Sequence, residues 1–342
     1  MRHGTANMSI RIPIEEPSQA AEARRVALSL ARECQFDESR AGRIPIVVME
    51  ACTNILKYAH RGEILIQIVE SGSGRPDLEV IALDKGPGIP NIDECLQDGF
   101  TTDTSLGHGL GAIRRLSDES DFYSVPGEGT AVLARWAVVG VPKTFSAPAR
   151  LIVGSVNVSK PGEEFCGDAF GIEQTDSEAA VLLADGLGHG FEAGQSSQEA
   201  VRMLREHPQL APAALIDLTH KALRSHRGAA VSIARIDLNR GTLHFAGLGN
   251  VSGQIYSIAG RGQHLISVNG TAGHNAARIR QFSYPWPQDG ILVMHSDGLA
   301  TGTSLDAKPA LARRDPSLIA GVLYRDFCRG HDDATVVVAR AA

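Results

Sequence analysis

The chain is poor in cysteine, and the cysteines it has do not form a recognisable framework. Among 342 residues there are five, Cys34, Cys52, Cys95, Cys166 and Cys328, and no two of them form a CxxC pair. An odd number of scattered cysteines favours neither zinc ligation nor a disulfide network. We therefore expect reduced, buried thiols and a cytoplasmic location.

A long apolar run and an excess of positive charge are also missing. The sequence has no stretch of about 18 consecutive apolar residues, so we expect no transmembrane helix. The alternating segment Ile10 to Ile14 is typical of a strand rather than of the apolar core of a signal peptide. The net charge is −6. We therefore expect neither nucleic acid nor a membrane as a partner.

The length allows two domains of ordinary size, each able to bury its own core. Gly140 to Pro148 contains two prolines and small residues without a hydrophobic period, which makes it the best linker candidate. The sequence thus predicts domains over residues 8–140 and 149–342, joined by a linker over 141–148. No internal repeat relates the two halves.

Hydrophobic periodicity predicts helices and strands in both halves. In the N-terminal half the pattern predicts helices over 18–33, with Ser18 as N-cap, over 44–59 and over 109–116. Strands are predicted over 64–69, 78–83, 121–124 and 131–139, with a hairpin connection at 71–74. The C-terminal half begins with a strand over 151–158, continues with helices near 190–206 and 211–224, and is strand-rich afterwards.

Three short segments of the N-terminal half carry residues suited to a nucleotide site. The first runs from Glu50 to His60, and its i, i+4 spacing places Glu50 and Asn54 on one helical face. The amide oxygen of Asn54 is a ligand of the kind that Mg²⁺ prefers, and Glu50 could accept or orient a hydroxyl proton. A polar stripe on a solvated helix explains this segment equally well when it is taken alone.

The second and third segments are glycine-rich turns. Asp84 follows an apolar strand, where its carboxylate can bond the amine of adenine, and Gly86 and Gly88 allow a sharp turn. In the third segment, glycines at 107, 109 and 111 lead into a helix whose first N–H groups can bind phosphate. Either pattern alone is a common turn. All three segments in this order are a much more specific signal.

Together these segments resemble the GHKL ATPase family, and within it the anti-sigma-factor serine kinases of the RsbT and SpoIIAB type. The resemblance covers about residues 8–138 and includes Gly127 to Thr130. It implies a Bergerat α/β sandwich that binds ATP and Mg²⁺, with Glu50 as general base for a seryl hydroxyl and Asn54 as the Mg²⁺ ligand. The nucleotide-binding residues that it implies are Asn54, Asp84, Gly86, Gly88, Gly107, Gly109, Gly111 and Thr130.

In the C-terminal half, four acidic sites stand at strand edges or turns. They contain Asp168, Asp185, Asp297 and the pair Asp332 and Asp333. A single Asp-Gly pair is most often a turn. Carboxylates that converge from several strand ends, however, can hold Mg²⁺ or Mn²⁺, and two such ions activate water for attack on phosphorus.

These sites resemble the metal-dependent PPM-type phosphatases, with SpoIIE and RsbX as the most similar small bacterial members. The resemblance covers about residues 150–342 and implies an α-β-β-α sandwich, so that the whole chain is of the α+β class. It implies two Mn²⁺ or Mg²⁺ ions, held by Asp185 as bridging and catalytic ligand, the carbonyl of Gly186, Asp297, Asp332 and, directly or through water, Asp168. Asp333 is the rival of Asp332. His189 is expected beside the ligands, and no residue matches the phosphate-binding arginine of the eukaryotic members.

Both resemblances imply opposing enzymes of a partner-switching pathway. The chain is thus predicted to phosphorylate a STAS-domain antagonist or stressosome protein with ATP and to hydrolyse phosphoserine or phosphothreonine. The alternative keeps the phosphatase but makes the N-terminal domain an ATP-binding anti-sigma factor, whose partner would be a sigma factor. Glu50 argues against that alternative, because a pure binding module needs no base at this position.

Overall fold

The computed structural model describes residues 8–70, 76–96, 109–137, 151–257, 260–276 and 278–342. The described residues 9–137 and 151–342 belong to two separate units. Three predicted features lie outside the described residues: the linker 141–148, the hairpin connection 71–74 and Gly107. The predicted domain boundaries therefore stay predictions.

The N-terminal unit is one antiparallel sheet with helices packed on one face. Its elements are β1 (Ile10–Ile14), α1 (Pro17–Glu33), α2 (Glu38–Asn54), a π-helical turn (Ile55–Ala59), β2 (Gly62–Glu70), β3 (Pro76–Asp84), α3 (Ile92–Cys95), α4 (Gly109–Leu116), β4 (Glu119–Val125) and β5 (Gly129–Ala137). The strand order is β1-β2-β3-β5-β4. One core joins the apolar sides of α1, α2 and α4 to alternate residues of the sheet, for example Ile64, Ile66 and Val80. This two-layer arrangement confirms the predicted α/β sandwich.

Two helix starts differ from the sequence prediction for identifiable reasons. Helix α1 begins at Pro17 after Glu16 as N-cap, because the Gln19 side chain accepts a hydrogen bond from the Glu16 N–H at 2.9 Å. Ser18 is therefore not the cap. Helix α2 begins six residues before Ile44, because Asp37 caps it by accepting from the Arg40 N–H at 2.9 Å.

The C-terminal unit is a four-layer sandwich of two sheets between helices. Its strands are β6 (Leu151–Val158), β7 (Asp168–Gln174), β8 (Glu178–Gly186), β9 (Ala229–Asp237), β10 (Thr242–Leu248), β11 (Ser252–Tyr256), β12 (Gln263–His264), β13 (Gly270–Thr271), β14 (Asn275–Ala276), β15 (Phe282–Pro285), β16 (Ile291–His295) and β17 (Ala334–Ala341). Its helices are α5 (Phe191–Glu206), α6 (Pro212–Ala222) and α7 (Pro316–Phe327).

One five-stranded sheet has the order β15-β10-β9-β8-β7, and the other has the order β12-β11-β16-β17-β6. Phe170, Val181 and Phe245 of the first sheet share a core with Met294 and Val337 of the second. Helices α5 and α6 cover the outer face of the first sheet, and α7 packs against β6 and β17 of the second. The predicted α-β-β-α sandwich is thus confirmed, and with it the α+β class of the chain.

Helix α7 is the element that the sequence pattern does not reveal. All ten residues from Pro316 to Arg325 are buried, so the helix has no solvent-facing stripe to create a 3.6-residue period. It lies so close to β6 that a Cβ at Gly154 would stand 1.9 Å from the Ser317 nitrogen. In the part of the chain that the structure describes, no helix is long and apolar enough to cross a membrane.

Candidate functional site

In the N-terminal unit, Glu50 and Asn54 lie on the last turns of α2, and both side chains are half-buried. Asn54 is the last α-helical residue, and the chain continues directly into the π-helical turn. Single π-helical turns occur often at functional sites, because they re-aim the side chains that they carry. Glu50 and Asn54 are therefore accessible at the C-terminal end of α2, while the apolar side of this helix packs in the core.

The Asp84 carboxylate is held in a defined position at the end of β3. Its Oδ1 accepts hydrogen bonds from the N–H of Gly86 at 2.8 Å and from the N–H of Thr130 at 3.2 Å. The second bond joins the Asp84 turn to the start of β5, where the sequence predicted Thr130 as a site residue. Asp84, Gly86 and Thr130 thus form one hydrogen-bonded cluster.

Close backbone approach explains the glycines of this cluster. Gly129 has φ +105°, and a Cβ there would stand 2.0 Å from the Asp84 carbonyl oxygen. Gly88 has φ +71°, and a Cβ there would stand 2.2 Å from the carbonyl oxygen of Val125. Positive φ and these distances both select glycine. The turns of the second segment and of residues 127–130 are therefore packed directly on each other.

The π-helical turn meets the same cluster from the other side. A Cβ at Gly86 would lie 2.6 Å from the Cβ of Ala59, the last residue of that turn. Helix α4, which packs on α2, begins at Gly109 and contains Gly111. The first two segments and residues 127–130 therefore lie together, and the described part of the third segment packs on α2, the helix that carries Glu50 and Asn54. Gly107 lies outside the described residues.

In the C-terminal unit, Asp168 and Asp185 face each other across two paired strands. Asp168 opens β7 and Asp185 lies one residue before the end of β8, and the register pairs them directly. Directly opposite residues of an antiparallel pair place their side chains on the same face. Strand pairing alone therefore brings together two carboxylates that are 17 positions apart in the sequence.

Asp185, Asp297 and Asp332 line one pocket of about 480 Å³. Asp297 follows β16 and Asp332 precedes β17, both strands of the second sheet, whereas Asp185 lies on β8 of the first, so both sheets contribute to the pocket. Asp333 is buried beneath, with its Oδ1 accepting from the Lys160 N–H at 2.9 Å. The structure thus gives the two neighbouring aspartates different surroundings, with Asp332 facing the pocket.

The electrostatics of this cluster fit a divalent cation. Burial, followed by the negative charges of Asp168, Asp297, Asp332 and Asp333, raises the pKa of Asp185 to about 9. Burial is also the main cause that raises the pKa of Asp168 to about 7. The Oδ2 atom of Asp168 is buried without a hydrogen-bond partner among the described residues. Clustered carboxylates with an unsatisfied oxygen are what a hard cation would compensate.

The carboxylate oxygens of this cluster lie near one another but do not converge on a single point. Among the described residues, no three Asp, Glu, His or Cys side chains converge in the geometry of a formed metal site. Mutual repulsion of the carboxylates opposes convergence, and Asp297 Oδ2 instead accepts from Asn250 Nδ2 at 2.6 Å. The assignment of Asp168, Asp185, Asp297 and Asp332 as ligands therefore stays a prediction.

Gly186, whose carbonyl is the fifth predicted ligand, stands at a point of very close packing. A Cβ there would be 2.1 Å from the Ala193 carbonyl oxygen and 2.8 Å from that of Gly167. The Gly186 N–H donates to the Gly167 carbonyl at 3.1 Å. The backbone next to Asp185 is therefore fixed in position by its neighbours.

Sequence reasoning missed three residues around this pocket. Lys160 and Asn250 line it, and Oε1 of Glu163 accepts a hydrogen bond from Nδ1 of the pocket-lining His189 at 2.7 Å. None of the three belongs to an Asp-Gly motif. Lys160 and Glu163 stand in the loop that precedes Asp168, and this loop has to pass the strand ends that carry the aspartates. Their position in that loop is the only hint that the sequence offers for them.

One Cys-x₅-Arg spacing, Cys34 to Arg40, superficially matches the loop of cysteine-dependent phosphatases. Burial raises the pKa of the Cys34 thiol to about 11, which disfavours the nucleophilic thiolate. The Arg40 guanidinium bonds the Ala137 carbonyl at 3.0 Å and pairs with Asp118. Arg40 thus connects structural elements, and Cys34 and Arg40 do not form a phosphate-binding loop.

Comparison with known proteins finds a family match in each half of the chain. Residues 15–136 match the family model of the histidine kinase-like ATPase domain, and residues 175–342 match that of stage II sporulation protein E (SpoIIE). The chain is 41% identical over 115 residues to the serine/threonine-protein kinase RsbT of Bacillus subtilis (strain 168), which is 33% of this chain and 86% of RsbT.

Two further similarities concern the C-terminal unit. The phosphoserine phosphatase RsbX of Bacillus subtilis (strain 168) is 25% identical over 142 residues, which is 42% of this chain and 71% of RsbX. A solved chain from work on the bacterial stressosome as a modular signalling system superposes with a TM-score of 0.52 at 26% identity, over 56% of this chain and 99% of that one.

The chain therefore joins a histidine kinase-like ATPase domain to a second domain that matches the SpoIIE family model. Through the first domain the chain belongs to the family of serine/threonine kinases that includes RsbT. The second half matches the SpoIIE family model and is similar to the phosphoserine phosphatase RsbX.

Proposed function

We propose that this chain is a bifunctional regulator of a partner-switching pathway. Its N-terminal domain uses ATP to phosphorylate a STAS-domain antagonist or stressosome protein on serine or threonine. Its C-terminal domain hydrolyses phosphoserine or phosphothreonine with two divalent ions. The observation that supports the hydrolytic half most directly is the pocket shared by Asp185, Asp297 and Asp332, next to the unsatisfied oxygen of Asp168.

For the kinase half, the proposed roles come from the resemblance to the RsbT-type kinases, and the positions of the residues are compatible with them. Phosphoryl transfer depends mainly on positioning and charge neutralisation. Asp84, whose carboxylate is anchored by Gly86 and Thr130, would receive the adenine amine. Glu50, half-buried on α2, would accept the proton of the attacking hydroxyl, and Asn54 one turn later would hold Mg²⁺ with the triphosphate.

For the phosphatase half, Asp168, Asp185, Asp297, Asp332 and the Gly186 carbonyl would hold two Mn²⁺ or Mg²⁺ ions. When bound, such ions supply Lewis acidity and activate water for in-line attack on phosphorus. The side chains of this chain contribute orientation. Asn250 fixes Asp297 through its amide, and strand register fixes Asp168 opposite Asp185.

Joining the two domains in one chain has a kinetic consequence. Covalent linkage can raise the effective concentration of one active site near the product of the other to about the mM range. A partner released from the kinase site would therefore reach the phosphatase site quickly. Without a signal that favours one half, the pair would only consume ATP.

The kinase assignment is tested with a Glu50→Ala variant. Wild type and variant are incubated with γ-labelled ATP and candidate STAS-domain proteins, and transferred label is measured on the partner. Glu22→Ala, on the exposed side of α1, is the matched control. We expect transfer by wild type and control and a loss of about 10²-fold or more for Glu50→Ala.

Equal labelling by wild type and Glu50→Ala would contradict the kinase role. If ATP binding persisted in both and a sigma factor co-purified with the chain, the N-terminal domain would be the anti-sigma binding module instead. The nucleotide site would then serve to stabilise a binding surface, and the phosphatase would be the only catalytic half.

The phosphatase assignment is tested with Asp185→Asn and Asp297→Asn, which keep side-chain shape and remove charge. Hydrolysis of a phosphoserine protein is measured with Mn²⁺ and with Mg²⁺. Asp176→Asn, in the exposed turn between β7 and β8, is the control. We expect both pocket variants to be inactive and the control to match wild type. Activity retained in both pocket variants would refute the two-metal assignment.

A further inference from the structure

The charges of the phosphatase pocket and its two ions do not compensate the negative charge of a phosphorylated substrate. Asp168, Asp185, Asp297 and Asp332 would carry about −4 in total when ionised, which two divalent ions would offset. A phosphoserine brings a further charge of about −1.5 to −2. The site therefore needs an additional positive group that faces the pocket and is not already neutralised.

Lys160 is the one lysine or arginine among the residues that line this pocket. It lies two residues after the end of β6, in the loop that leads to Asp168, and it is half-buried. Its ammonium group forms no ion pair with any residue in the described part of the chain. A side chain of this type acts as a compact point charge with three donors.

The backbone of Lys160 is anchored to the same acidic cluster. Its N–H donates to Oδ1 of the buried Asp333 at 2.9 Å, and its carbonyl accepts from the Glu163 N–H at 3.0 Å. Both backbone polar groups are thus satisfied, and only the side chain is free to move. This fixed starting point reduces the conformational entropy that binding an anion would cost.

Two other basic side chains near this pocket, Arg227 and His189, already have carboxylate partners. The Nε of Arg227 stands 2.6 Å from Oε2 of Glu192, and His189 Nδ1 stands 2.7 Å from Oε1 of Glu163. Arg227 reaches toward Gly188, but it is directed into this ion pair. Using either group for substrate would first require breaking an existing contact.

We propose that Lys160 is the residue that binds the phosphoryl group of the substrate in the phosphatase site. It would take over the task of the phosphate-binding arginine of the eukaryotic members, for which this sequence has no match. The inference rests on the proposed phosphatase function. It adds a specific phosphate-binding residue to it.

The test compares wild type with Lys160→Met, Lys160→Arg and Lys221→Met. Lys221 lies on α6, is exposed and pairs with Asp217 one turn away, so it is the matched control. Three quantities are measured on the full chain: the affinity for inorganic phosphate at saturating Mn²⁺ by calorimetry, the affinity for Mn²⁺ alone, and kcat and KM on a phosphoserine protein.

For Lys160→Met we expect phosphate affinity and kcat/KM to fall about 10- to 100-fold, the value of one charge-assisted hydrogen bond. Affinity for Mn²⁺ should stay within about threefold of wild type, because an ammonium is not a metal ligand. Lys160→Arg should recover part of the loss, since the charge is kept and its shape changes. Lys221→Met should match wild type throughout.

Unchanged phosphate affinity in Lys160→Met would overturn the proposal. So would a Mn²⁺ affinity that rises more than tenfold while phosphate affinity at saturating Mn²⁺ is kept, because Lys160 would then only screen the carboxylates. A wild type that binds phosphate but hydrolyses no phosphoprotein would contradict the proposed function, and the phosphate affinities of the variants would still decide the role of Lys160.

Discussion

Removing one charge from the acidic pocket should stabilise the metal-free protein, although it abolishes the proposed catalysis. Asp185 is enclosed by burial and by four other carboxylates, which raise its pKa to about 9 in the folded chain. Its unfolded value is about 3.9. Between these two values the folded chain keeps a proton that the unfolded chain has released. Stability of the metal-free wild type therefore falls as pH rises through this window.

The size of the effect can be bounded. Each pKa unit corresponds to about 1.4 kcal/mol, so at pH 8 the ceiling is roughly 6 kcal/mol. The aspartates share their protons and local relaxation reduces the penalty. We therefore expect Asp185→Asn to be more stable than wild type by about 2 to 4 kcal/mol at pH 8 without metal, and by less than about 1 kcal/mol at pH 4.5.

The measurement is urea unfolding in EDTA at both pH values. The chain has two tryptophans, Trp136 in the N-terminal unit and Trp286 in the C-terminal unit, and both are buried. If Trp136→Phe is placed in all proteins compared, Trp286 fluorescence reports the C-terminal unit alone. Asp176→Asn serves as the exposed control.

Adding Mn²⁺ should reverse the order. At a concentration of 1,000 times Kd, a ligand that binds only the folded wild type stabilises it by about 4.1 kcal/mol, which exceeds the expected advantage of the variant. Asp185→Asn should gain much less. A variant that is less stable than wild type in EDTA at pH 8 would refute the reasoning, because burial and carboxylate repulsion at Asp185 would then not destabilise the folded chain.

Two further predictions use matched positions. Gly129→Ala should cost more than about 2 kcal/mol of stability and lower ATP affinity, since the new Cβ meets the Asp84 carbonyl. Gly127→Ala, also at positive φ but with open space around it, should cost only about 1 kcal/mol; equal losses in thermal unfolding and nucleotide titration would argue against the clash. Asn250→Ala should weaken Mn²⁺ binding about 10-fold by releasing Asp297. A calorimetric Mn²⁺ titration checks this, with exposed Asn239→Ala expected to behave as wild type, and undiminished affinity would show that the amide does not orient the ligand.

Much of the fold was predictable because the pattern that forms an element is local. Helix α4 and strand β6 have the bounds that the sequence predicts, 109–116 and 151–158, since each has a clear apolar period. Helix α2 was predicted to begin too late, because its first turns are polar and its cap is Asp37. Helix α7 was missed, because complete burial removes the amphipathic signal.

The candidate sites were predictable to a similar, limited degree. Asp185 and Asp297 stand in short motifs that can be recognised from the sequence, and the structure places both in one pocket. Lys160 and Asn250 are in no motif, and only the folding of distant strands brings them there. The different surroundings of Asp332 and Asp333 depend on the direction of single side chains at a turn, which no periodicity encodes.

The pairing of Asp168 with Asp185 also limits how the length of this part of the chain can change. Side chains alternate between the faces of a strand, so one residue inserted within β7 or β8 would turn one aspartate to the opposite face. An insertion in the connecting turn near Thr175 to Ser177 would leave the register intact. We therefore expect related chains to vary in length in this turn. The number of residues in β7 after Asp168 and in β8 before Asp185 should stay constant.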